Sequence, residues 1–187
     1  YEGEEKYDQL WERDAQTVVQ WSKFFCSKIF DHIRYPEGRI HEDVYVIHRE
    51  LEACNKYAFV DIPFYYYVQH DKSIMHSEGF GSVNDAIEGY EDRARFFHIQ
   101  GLEKYKTRTL RTLFEYISWR FGLMIDSGDK DGSRLLQEKA RLLLRQYEKD
   151  GVLSSSEMLA IKNMRLNKLY KSMGGALLLK KLLQPTT

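Results

Sequence analysis

Apolar positions along the chain follow two different rhythms, and the change falls near residue 80. From Ser82 onward the spacing is helical. Val83, Ile87, Tyr90, Ala94 and Phe97 trace one helix face, with Ser82 placed to cap it. Leu110, Leu113, Phe114, Ile117, Phe121, Met124 and Ile125 form a stronger stripe that ends near "DSGDKDGS". Leu136, Ala140, Leu143 and Tyr147 form a third, which stops at Gly151. A fourth helix is predicted from about Ser156 to Met173, where Gly174 and Gly175 break it. These elements predict a helical bundle or hairpin array.

Before residue 80 the pattern is mixed. "TVVQWSKFF" (residues 17–25) is rich in β-branched and aromatic residues and predicts a strand, followed by a short helix over "CSKIFDHI". "KYAFVDI" and "FYYYVQH" read as two further strands separated by Pro63. Between the turn "YPEGR" and these runs, Val44, Ile47, Leu51 and Cys54 predict a helix over about Glu42 to Cys54. The expected organisation is therefore a mixed segment over 1–80 and a helical region over 81–187.

Composition narrows the function classes. The 187 residues carry 28 basic and 28 acidic side chains, a balance that argues against a general nucleic-acid binder. The two cysteines, Cys26 and Cys54, have no CxxC spacing and cannot build a disulfide framework or a cysteine zinc site. No apolar run approaches the ~18 residues of a membrane span, and "YEGEEKYDQLWERD" is no signal peptide. Reduced thiols and a cytoplasmic location are the expectation. The residue Tyr1, in place of an initiating Met, leads us to expect a processed or excised chain.

Three familiar motifs are approached and missed. "HEDVYVIH" starts like HExxH, but Tyr45 occupies the second histidine's place. His48 lies seven residues from His41, about 10 Å along a helix, too far to share one zinc ion. Ser127, Asp129, Asp131, Gly132 and Glu138 match an EF-hand spacing, but Ser replaces the first ligand, and a capped polar turn accounts for the same letters. Asp129-Lys130-Asp131 is a DxD between two helices, whereas a sugar-nucleotide DxD normally ends a strand.

The acid pair Glu42-Asp43 is a different matter. Placed in a first helical turn, each acid gains about 0.3–1 kcal/mol from the helix dipole. That accounts for one acid but not for the blocks around the pair. "WSKFF…IFDHIRYPEGRIHEDV" followed by "VDIPFYYYVQHDKSIMH" resembles the carboxyl-terminal half of family 2 glycosyltransferases of bacterial surface-polysaccharide type. The resemblance covers about Trp21 to His76, and the order of the blocks matches as well as the letters.

The resemblance implies an α+β, mostly helical fold: the C-terminal part of a GT-A α/β fold with a few strands, then a helical bundle. It implies transfer of a sugar from a nucleotide-diphosphate donor to a glycan or lipid-linked acceptor hydroxyl, with inversion. Asp43 matches the family's catalytic base and Glu42 its companion. His70 and Lys72 lie in the segment that passes near the donor diphosphate and its metal. Val68 stands where the family often has Arg. Tyr65, Tyr66 and Tyr67 would alternate on a strand, at least one of them in ordinary packing.

A divalent Mn or Mg ion is expected in the full-length enzyme and none bound to this chain, because the family's donor-binding half has no counterpart in these residues. The chain alone is then expected to be inactive. Two other readings compete with catalysis. One is a non-catalytic helical interaction module. The other is peripheral contact with the inner face of the membrane through "LYKSMGGALLLKKLLQ", whose Lys180 and Lys181 suit an interfacial helix.

Overall fold

A computed structural model describes residues 1–13, 15–63, 65, 66, 68 and 79–163. The chain divides into two compact units, Tyr1–Glu78 and Gly79–Thr187. Seven α-helices are present among the described residues: α1 (Glu5–Glu12), α2 (Ala15–Val18) and α3 (Glu42–Ala53) in the first unit, then α4 (Phe80–Ile99), α5 (Glu103–Ser127), α6 (Lys130–Tyr147) and α7 (Ser155–Lys162) in the second. Short 3-10 turns occupy Ser27–Asp31 and Glu148–Asp150.

Among the described residues the expected strands do not form and the elements are helical, which corrects the α+β, GT-A fold class to an all-helical one. Among the described residues the only ladder-type pairing is one isolated antiparallel bridge, Glu2 to Lys56. The β-rich run at Thr17 shows why. Thr17 and Val18 finish α2, where the Thr17 hydroxyl donates to the Gln9 carbonyl at 2.9 Å and is fully buried. β-Propensity mostly measures how well a side chain fits a half-buried pleated surface, so without a partner strand it decides little. Val60, Ile62, Tyr65, Tyr66 and Val68, expected on strands, lie outside any strand and are exposed. Tyr67 and the rest of "FYYYVQH" after Val68 lie outside the described residues.

The first unit is tied together by side chains that reach backbone. Tyr7, Leu10, Ile33, Val44, Val46, Ile47 and Leu51 form its apolar interior. Lys6 donates to the carbonyls of Cys54 (2.8 Å) and Glu52 (3.3 Å), and the Tyr7 hydroxyl donates to the Glu52 carboxylate. These contacts from α1 satisfy carbonyls at the end of α3, which a helix terminus otherwise leaves unpaired.

In the second unit the helical stripes behave as their spacing predicts. Val83, Ile87, Ala94, Leu110, Leu113, Phe114, Ile117, Phe121, Met124, Leu136, Ala140 and Leu143 share one core. Two positions depart from expectation. Ile125 is exposed, because it lies one step round the helix from buried Met124. Ser82 is not a cap: α4 begins two residues earlier behind Gly79, and Ser82 is buried inside it. The fourth helix is α7, whose Ser154 and Glu157 form a reciprocal capping box. The predicted continuation to Met173, Gly174 and Gly175 lies outside the described residues.

The calcium-like loop is a helix junction. Gly128 takes a left-handed conformation (φ 77°), and the Asp129 side chain accepts the Gly132 N–H at 2.8 Å as the cap of α6. A β-carbon at Gly132 would run into that carboxylate, so the glycine is part of the cap. Glu138, the would-be twelfth ligand, pairs with Arg134 at 3.0 Å one turn along α6. The same geometry disposes of Asp129-Lys130-Asp131 as a sugar-nucleotide motif.

Candidate functional site

The acid pair stands where the sequence places it, in the first turn of α3. The residue before it, His41, has φ 61°, a left-handed conformation that is uncommon for a side chain other than glycine. It turns the chain into the helix without capping it by its side chain. Asp43 supplies an acceptor itself, its Oδ1 receiving the Val44 N–H at 2.8 Å. Glu42 is exposed and Asp43 half-buried. Both sit in the first turn, at the positive end of the helix dipole.

Two turns along the same face lies a residue that the sequence reading missed. Glu50 is 2% exposed, a carboxylate set among Ile47 and Leu51. It is satisfied by the Tyr35 hydroxyl at 2.6 Å and the Gln20 side-chain amide at 3.1 Å. Buried carboxylates persist only where such donors meet them. Burial raises the Tyr35 phenol well above its ordinary value, with the Glu50 hydrogen bond and charge adding to it, and Asp43 and Glu42 contributing less.

Lys23 closes the group. Its ammonium donates to the Val19 carbonyl. Burial pushes its pKa down to about 8, against the opposing pull of Glu50 and Asp43. Asp43, Glu50, Tyr35 and Lys23 therefore share one electrostatic environment. The sequence signal for it was present: Asp43, Ile47 and Glu50 step by four and three, so an acid interrupts the apolar face of α3.

The segment that carries Gln20 and Lys23 also presents aromatic rings. Trp21 stacks on Tyr65 with centroids 4.8 Å apart and an interplanar angle of 17°. Phe24 is 93% exposed, while Phe25 packs edge-on against Phe30. Ser22, between Trp21 and Lys23, is the other non-glycine residue in the left-handed region (φ 64°) among the described residues.

Of the other expected site residues, His70 and Lys72 lie outside the described residues. Among the described residues no cluster of three His, Cys, Asp or Glu side chains could hold a metal ion. The Mn or Mg ion is expected elsewhere in the full-length enzyme, and Glu42 and Asp43 have no metal role in that expectation. No helix among the described residues is long and apolar enough to cross a membrane. The segment "LYKSMGGALLLKKLLQ" lies outside the described residues. No family model, no curated protein and no solved structure matches this chain.

Proposed function

We propose that the first unit forms the acceptor side of a sugar-transfer site, with Asp43 as the general base. The observation that carries this reading is the mounting of Asp43. It is a partly exposed carboxylate at a helix start, oriented by the Val44 N–H. In the reaction Asp43 takes the proton of an acceptor hydroxyl as that oxygen attacks the anomeric carbon. The bond from that carbon to the diphosphate breaks, and the nucleoside diphosphate leaves with the electron pair. A positioned carboxylate contributes about 10²–10⁴-fold in such a step. Glu42, exposed beside it, adds negative charge at the acceptor side. No step is assigned to a metal, and donor binding falls to residues other than those described.

The test is Asp43→Asn in the complete gene product, assayed with a panel of nucleotide sugars. Asn keeps size and capping ability but cannot accept the proton. Turnover is expected to fall by about 10²–10⁴-fold with little change in donor affinity. Turnover near wild type would overturn the assignment.

A second reading, a non-catalytic helical interaction module, is favoured by the absence of any strand among the described residues. It predicts that Asp43→Asn leaves every measurable activity of the gene product unchanged.

A further inference from the structure

We draw no further inference here: the strongest candidate, the side-chain cluster of buried Glu50 on α3 with its Tyr35 and Gln20 donors, belongs to the site already described, where those hydrogen bonds account for it as packing.

Discussion

The two units of this chain solve the same problem by different means. The second closes four helices over a shared apolar stripe, and its turns are short, capped and marked by Gly101, Gly128 and Gly151 in left-handed conformations. The first has a smaller apolar interior and adds polar side chains that reach backbone carbonyls or a buried carboxylate. The second uses the same device beside its larger core, where Arg111 reaches the Val152 carbonyl and the buried Glu157. Among the described residues the first also carries the exposed aromatic rings and the two non-glycine residues with left-handed backbone. Apolar periodicity is cheap to satisfy and leaves little surface with specific chemistry. A unit held by directed hydrogen bonds can keep charges and rings at fixed places, which is what a binding site requires.

That contrast is open to direct attack, first at the core of the second unit. Leu113 is fully buried in the stripe of α5. Leu113→Ala is expected to cost about 2–5 kcal/mol in urea unfolding, as for other buried leucines. Phe24→Ala in the first unit removes a larger side chain, yet should stay within about 0.5 kcal/mol because the ring is exposed. Similar losses at the two positions would mean that the units do not differ as described.

The next test is the polar network. Glu50→Ala leaves the Tyr35 hydroxyl and the Gln20 amide without their acceptor, and should cost about 1–3 kcal/mol. Hydrogen exchange should accelerate in α3 and remain unchanged in α5 and α6. Loss of protection confined to the second unit would contradict the separate bases of stability.

How far the sequence could be read follows the same division. The stripes of α4, α5 and α6 were readable because a 3.6-residue period needs no distant partner. The start of α3 was readable from Glu42 and Asp43. The strands were misread because Thr17, Val18, Val60 and Ile62 have side chains that suit a sheet, while a sheet depends on partners that a local pattern does not specify. Glu50 was overlooked because a charged residue on an apolar face looks like an interruption until its donors, fifteen and thirty residues away, are brought to it. The resemblance to sugar transferases drew attention to Asp43 and His70, but gave no hint of Lys23 or the Trp21–Tyr65 stack.

The last test is the pH dependence that Lys23 confers. In the folded chain its pKa is about 8, below the ordinary lysine value of about 10.4. Below pH 8 the amine is protonated in both states, and the folded state bears the cost of burying the charge. Between about 8 and 10.4 the folded state gives up the proton first while the unfolded state retains it, so this contribution makes stability rise with pH. Cys54 acts in the opposite direction, since burial raises its thiol and the unfolded chain ionises first. The raised phenols of Tyr7 and Tyr35 also oppose it, above about pH 10. Comparison with Lys23→Met cancels these shared contributions. The wild-type chain should gain stability relative to Lys23→Met from pH 8 to 10, measured by urea unfolding followed at the α3 amides. Parallel curves for the two chains, or a Lys23 amine that titrates near 10.4 by NMR, would show that Lys23 is an ordinary solvated lysine. The network beneath Asp43 would then contain Glu50, Tyr35 and Gln20 alone.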